Sequence, residues 1–450
     1  MFLLRKILLC SSLAAICFGA GAAETNSLVW HKATDRVDAD VRGMALWPLL
    51  EHIAESADWK IFVEPGAEHN ASAKFKDLPS GDALKMLLGD LNFALVPKTN
   101  TPSQLYVFRT TIRSATQQVL AAKPRRVANE LLLRVKPGTD IDVLAKLLGA
   151  KITGRLDKLG LYRLQFGDEA ATDAALAQVQ NNSDVLDSGY DYYLDQPPPM
   201  QAVMSGDAPQ APVNLQLKPP PDSGKVIVGL IDTAVQPLGD TLDKFMMTPV
   251  SVAEGTQANG NELTHGTAMA ETILRAAGMV EQGSSSIQIL PVDVYGSGAN
   301  ATTWNVAVGI TAAVNGGATI INLSLGSSGD SSVLNGVVEA AIGDGILIFG
   351  SAGNQPVATP VYPAAYPGVV AVTALERGQI APYADYGSFV DMAVPDSTIA
   401  YLGNQPWFTQ GTSVSAANAT GMAAGFADFS HQSWPQITTK LSTMFPVPKK

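Results

Sequence analysis

The stretch VIVGLI, residues 226–231, is an apolar run that ends on a carboxylate, Asp232. Its length and β-branching fit a strand buried on both faces. Three other runs share that texture: ATIINLSLG (318–326), GILIFGSAG (345–353) and GVVAVTAL (368–375). Stretches of helical character alternate with them: THGTAMAETILRAA (264–277), TTWNVAVGITAAVNGG (302–317), SSVLNGVVEAAIGDG (331–345) and TSVSAANATGMAAGFADF (412–429). This alternation predicts an α/β domain over 224–445 with a doubly wound, mostly parallel sheet. A site in such a domain lies at the carboxyl ends of the strands. Asp232 stands at one such end, and Asn354 follows ILIFGSAG at another.

Two further stretches complete a set: His265 in THGTAMAE and Ser413 in GTSVSAAN. The separations are 33 residues from Asp232 to His265, 89 to Asn354 and 59 to Ser413. A serine hydroxyl is a poor nucleophile at neutral pH. It needs a base, a group that orients the base, and donors for the oxyanion formed on attack. Ser413, His265, Asp232 and Asn354 supply one candidate for each role. Ser413 opens a predicted helix, where free backbone N–H groups and the positive end of the dipole face the reacting carbonyl. The alternatives are poorer. His431, in FSHQSW, has no motif around it, and Ser415 lacks the preceding Gly-Thr.

In order, spacing and flanking residues these four motifs resemble the subtilisin family of serine peptidases, over about 224–440. The resemblance implies a Ser-His-Asp triad acting on polypeptides through an acyl-enzyme. It also implies that Ser324-Leu325-Gly326 and Gly296-Ser297-Gly298 pair with an extended substrate as added strands. Ala352-Gly353 would line the pocket for the residue before the cut, with Val361 and Ala364 near its floor. That pocket is expected to be apolar and uncharged, favouring medium or large hydrophobic residues. There are departures from the family pattern: Ala234 stands for a Gly, Val414 for a Met and Ala417 for a Pro. None removes a reacting group. The longer Asn-containing loop that carries a calcium site in many relatives is missing after His265, so no metal and no cofactor is expected. A lipase or esterase usually places Ser before Asp and His on G-x-S-x-G, the reverse of the order here.

A chain of 450 residues is too long for one core, and two to four domains are expected. Residues 1–23 read as a secretory signal peptide: Arg5 and Lys6, an apolar run, then Ala20-Gly21-Ala22-Ala23. Both cysteines, Cys10 and Cys17, lie inside it, so an exported chain would carry neither disulfides nor a catalytic thiol. The protein is thus expected to be secreted or periplasmic, without stable membrane insertion. A net charge of −11 leaves no basic stripe for nucleic acid.

Residues 27–113 read as a small α+β module: a helix over 44–57, a strand over 60–65, a helix over 80–91, and a hairpin of 93–98 with 104–109. That pattern resembles the short N-terminal domain of secretins and TonB-dependent receptors. Residues 126–196 follow the order β-α-β-β-α-β, which is ferredoxin-like. They resemble the inhibitory propeptides that precede subtilisin-type domains, which would make the chain's own propeptide its intramolecular inhibitor. Residues 197–223 carry eight prolines and are expected to be extended, exposed and the place of a self-processing cut. The rival expectation is an inactive relative that acts as a binding or assembly protein through 27–113.

Overall fold

The computed structural model describes residues 26–448 except 65, 98–102, 120–123, 198–199, 204–212, 214, 220–223, 282 and 431. The expected signal peptide, with Cys10 and Cys17, lies outside the described residues, as do most of the proline-rich segment and His431.

The C-terminal part is built on an eight-stranded sheet. Its order runs Val250–Ser251, Gln288–Asp293, Ile227–Asp232, Ile320–Leu323, Leu347–Ser351, Val370–Glu376, Gln379–Ile380, with Met392–Pro395 also pairing Val370–Glu376. Every pairing is parallel except that of Gln379–Ile380. The continuous apolar runs are explained by two covers. Val228, Leu230 and Ile320 face the helices His265–Val280 and Thr412–Ser430, while Ile231, Ile321 and Ile348 face Thr303–Asn315 and Ser332–Gly343. With both faces buried, polar alternation is absent. The strand Gln288–Asp293, beside Ile227–Asp232, was not anticipated, because its LPVD core is short and broken by Pro291.

The helices His265–Val280 and Thr412–Ser430 approach closely through small residues. A Cβ on Gly421 would lie 2.3 Å from the Ile273 carbonyl oxygen, which is backbone and cannot rotate away. Gly421→Ala should therefore destabilise by about 1–3 kcal/mol. A urea midpoint that does not move would refute this.

The ferredoxin-like order is present as Arg126–Val135, Ile141–Leu148, Lys151–Leu156, Leu161–Gln165, Glu169–Val179 and Val185–Asp195. Asp140 caps its first helix, accepting from the Asp142 and Val143 amides. The outer strand Val185–Asp195 takes a strand of the C-terminal part, Asn300–Thr302, as its antiparallel neighbour, so the sheet has five strands drawn from both parts. Leu132, Leu161 and Leu194 pack into the same core as Trp304 and Val337. Asp191 is fully buried at this contact and accepts from the Trp304 amide at 3.0 Å. Burial pushes its carboxyl up to about 7.

The N-terminal module has its own core around Leu49, Leu50, Ile53, Leu84, Leu87 and Leu105. The anticipated helices and hairpin are present as Leu46–Ala57, Ser80–Leu88 and Asn92–Val96 with Gln104–Phe108. It also holds a three-stranded sheet, Ser27–His31, Arg36–Ala45 and Asn70–Pro79, which sequence reading did not anticipate.

The described ends of the proline-rich segment are extended and exposed, and they are also anchored. Gln201–Ala202 pair with Gln405–Gln410, and Val203 donates to the Pro406 carbonyl at 3.0 Å. Leu215 is fully buried in the catalytic core, and Gln216–Leu217 pair with Ser284–Ser285. Lys218 closes this arm with ion pairs to Glu281 and Asp428 at 2.6 and 3.2 Å. Backbone pairing and one apolar anchor outweigh the prolines there.

Candidate active site

Asp232 ends its strand and is 1% exposed. One of its oxygens accepts from the Thr233 amide at 2.7 Å. His265 opens the next helix, whose cap is Thr264. The two elements can meet because Gly266 has no side chain: a Cβ there would lie 2.1 Å from the Thr233 carbonyl oxygen. The Gly266 amide instead donates to the Thr233 hydroxyl at 2.8 Å. The helix start is thereby pressed onto the strand end, and His265 Nδ1 reaches both Asp232 oxygens, at 2.8 and 2.9 Å. A carboxylate on Nδ1 favours the tautomer with its proton on that nitrogen, which leaves the Nε2 lone pair free to accept one. Asp293 stands opposite Asp232 in register. Burial, and then the neighbouring Asp232 charge, hold the Asp293 carboxyl above its ordinary range.

Asn354 follows the strand Leu347–Ser351, and Ser413 is the second residue of the helix Thr412–Ser430. Thr412 ties the two together. Its amide and hydroxyl donate to Asn354 Oδ1 at 3.0 and 3.1 Å. With Oδ1 so engaged, the Asn354 amide presents its N–H₂ group as the donor. The Ser413 hydroxyl donates to the Ser324 carbonyl at 3.4 Å, and the Ser413 carbonyl accepts from Ser324 Oγ at 3.0 Å. Ser324 Oγ in turn accepts from Asn322 Nδ2 at 2.9 Å, and Thr420 donates to Asn322 Oδ1 at 3.0 Å. Sequence reading missed Gly266, Asn322, Thr412 and Thr420. A polar Asn inside the otherwise apolar run TIINL was the available signal.

His265, Ser413 and Asn354 line one cavity of about 230 Å³. Ser324, Leu325, Gly326, Gly353 and Val361 line it as well. Ala352 and Ala364 are buried and outside its lining. Gly296, Ser297 and Gly298 also lie outside it, in a turn where the Gly296 amide donates to Asp293 and the Ser297 amide to Glu254. The pairing edge lies just beyond, at Ala299–Thr302. The expected uncharged pocket needs correction: Asp385 is among the lining residues, its carboxylate accepting from the Gln355 amide at 2.6 Å. It reaches the wall from a loop far along the chain, which no local motif reveals. Among the described residues no cluster of three or more His, Cys, Asp or Glu could hold a metal ion. No described helix is long and apolar enough to cross a membrane.

Residues 223–442 match the subtilase family (Peptidase_S8), and residues 113–186 match the fervidolysin N-terminal prodomain. The chain is 36% identical over 165 residues to a thermostable alkaline protease of Halalkalibacterium halodurans, covering 36% of this chain and 46% of that one. It is 29% identical over 205 residues to a thermophilic serine proteinase of Bacillus sp. strain AK1, covering 44% and 51%. The chain thus spans about half the length of these curated relatives. Among solved structures, fervidolysin from Fervidobacterium pennivorans aligns over 71% of this chain and 57% of its own, with TM-score 0.54 and 18% identity. The epidermin leader peptide processing serine protease of Staphylococcus aureus aligns over 70% and 93%, with TM-score 0.53 and 13% identity. At those identities the two structures share the fold. Residues 223–442, just under half of the chain, are thus identified with the subtilase family, and a match to a fervidolysin-type prodomain lies ahead of them.

Proposed function

We propose that the protein is a secreted serine endopeptidase, made as a proprotein, with Ser413 as nucleophile, His265 as base, Asp232 as its orienting acid and Asn354 as an oxyanion donor. One observation carries the reading. A buried Asp232–His265 pair and an Asn354 amide whose oxygen is already engaged by Thr412 border the same cavity as Ser413. Attack requires the Ser413 hydroxyl to turn from the Ser324 carbonyl to His265 Nε2. His265 then returns the proton to the leaving amine. The oxyanion would meet the Asn354 amide and the Ser413 backbone N–H. Asn354→Ala should lower kcat by about 10²–10³ with little change in KM. Unchanged kcat on a peptide anilide would remove Asn354 from this role.

Polypeptide is the substrate class because the chain already lays its own backbone there. Gln196 donates to the Ala299 carbonyl at 3.2 Å, next to the Asn300–Thr302 pairing. Gln196, Pro197, Met200 and Gln201 then line the cavity. A prodomain seated in this way would inhibit until removed. With Val203 and Leu215 both anchored, the maturation cut belongs within 204–214. The test is intact mass of the purified protein after reaction with a fluorophosphonate. A labelled species starting within 204–214 supports both the nucleophile and the cut. A catalytic fragment stripped of its prodomain that still fails to label overturns the enzyme reading.

A further inference from the structure

We propose that the N-terminal module, residues 26–119, is a second inhibitory cover on the catalytic cleft, closing the wall that the prodomain strand leaves open; this rests on reading the cleft as a peptidase site. The two family matches begin at residues 113 and 223, so residues 26–112 lie outside both, and the stretch 113–119 that enters the cleft is the start of the prodomain match, held there by the module's own strand Lys60–Val63. Its strand Gln117–Val119 is held antiparallel to Lys60–Val63, with Val63 opposite Gln117. The Gln117 side chain leaves the module and enters the catalytic domain. Its Nε2 donates to the Asn354 carbonyl at 2.7 Å and to the Tyr383 carbonyl at 3.2 Å. These carbonyls belong to the wall that carries the oxyanion donor. Ser114, Thr116 and Gln118 line the same cavity as His265 and Ser413.

A second anchor lies at the opposite, Ala299, edge of the cleft. Lys60 Nζ donates to the Ala299 carbonyl at 3.1 Å and sits 3.4 Å from the Asp195 carboxylate, which Arg125 also holds at 2.5 Å. Ala299 is the residue whose carbonyl accepts from Gln196. Module and prodomain tail therefore converge on one acceptor. A third contact follows the tail as it leaves: Gln201 Nε2 donates to the Arg113 carbonyl at 2.9 Å. Burying an amide and an ammonium is costly unless their hydrogen bonds are made. Gln117 is 6% exposed and the Lys60 side chain 11%, and both direct donors to catalytic-domain carbonyls. A module merely tethered to the chain has no need of such contacts. Targets that are backbone carbonyls also suit an inhibitor, since their positions follow from the fold of the cleft.

The test uses the full chain carrying Ser413→Ala, so that nothing is cut, with and without Lys60→Ala and Gln117→Ala together. Amide hydrogen exchange over residues 352–357 should speed by about tenfold or more in the paired variant, while residues 300–303, under the prodomain strand, keep their protection. Unchanged exchange over 352–357 overturns the proposal. Should residues 49–54 and 84–88 lose protection too, the module itself has loosened. Gln117→Glu then decides, because it keeps the side chain's length and sets a carboxylate against two carbonyl oxygens. Faster exchange at 352–357 with an intact module core supports the cover, and retained protection excludes it. Exchange needs no turnover. A stripped enzyme that never reacts with a fluorophosphonate yet opens in this way sinks the peptidase reading alone, and an active enzyme whose wall stays closed sinks the cover alone.

Discussion

Ser413→Ala is expected to abolish peptide turnover, with kcat falling by about 10⁶. The substitution removes the attacking oxygen and leaves its surroundings in place. Ser413 is only half-buried, and its Oγ makes one long hydrogen bond, to Ser324 at 3.4 Å. The fold should therefore be unaffected, with the urea midpoint close to that of the parent. The Ser413 carbonyl, held by Ser324 Oγ at 3.0 Å, is untouched by the change. Two readouts follow. The variant should not react with a fluorophosphonate, and it should remain full length in a host free of other peptidases. Maturation of the variant in such a host would rule out self-processing, and residual turnover near the parent's would rule out Ser413 as nucleophile.

Asp232→Asn should be the next most damaging change, lowering kcat by about 10⁴. The reason is geometric. His265 Nδ1 lies within 2.9 Å of both carboxylate oxygens, so either oxygen accepts the Nδ1 proton. An amide of the same shape can present an N–H to that nitrogen, which favours the tautomer with its proton on Nε2. The base then faces Ser413 with a proton already in place. The Thr233 amide, which donates to Asp232 Oδ1 at 2.7 Å, fixes which oxygen the Asn would keep on that side. Substrate affinity should change little, since Asp232 is buried and outside the cavity lining. A fall confined to KM would contradict this account. So would a kcat within about tenfold of the parent's.

The fold of the catalytic part was legible because its strands are buried on both faces. Apolar runs such as VIVGLI and GILIF then have no polar interruptions to confuse them, and Asp232 and Asn354 stand out where each run stops. The candidate reacting groups were legible for the same reason. What positions them was not. Gly266 reads as any glycine until the Thr233 carbonyl is found 2.1 Å from where its Cβ would be. Asn322 and Thr420 are far apart along the chain and meet only across the packed sheet and helix. Asp385 enters the pocket wall from a loop without a motif. Gly296-Ser297-Gly298 marked the right neighbourhood, but the hydrogen-bonding edge begins one residue later, because the three amides of the turn are already taken by Asp293, Glu254 and Tyr295. The strands of the N-terminal module were hidden by a different cause. In Arg36–Ala45 and Asn70–Pro79 the alternation is present, Val37, Ala39 and Val41 in one and Ala71, Ala73 and Phe75 in the other, but it spans only three apolar residues in each, most of them small, and was overlooked.

The anchoring of the proline-rich segment at both described ends bears on how the protein's surroundings would control it. Val203 is fastened to the Pro406 carbonyl and Leu215 to the core of the C-terminal domain, so a cut between them leaves both of these anchors as they were. What changes is the kind of equilibrium. While the chain is continuous, the inhibitory part is present at an effective concentration of about millimolar, however dilute the protein. Once the chain is severed, the same contacts hold a two-piece complex, and the fraction dissociated rises as total concentration falls. The freshly cut protein would stay silent in a confined space and become active on passing into a larger one. Volume, rather than a further chemical signal, would set the moment of release.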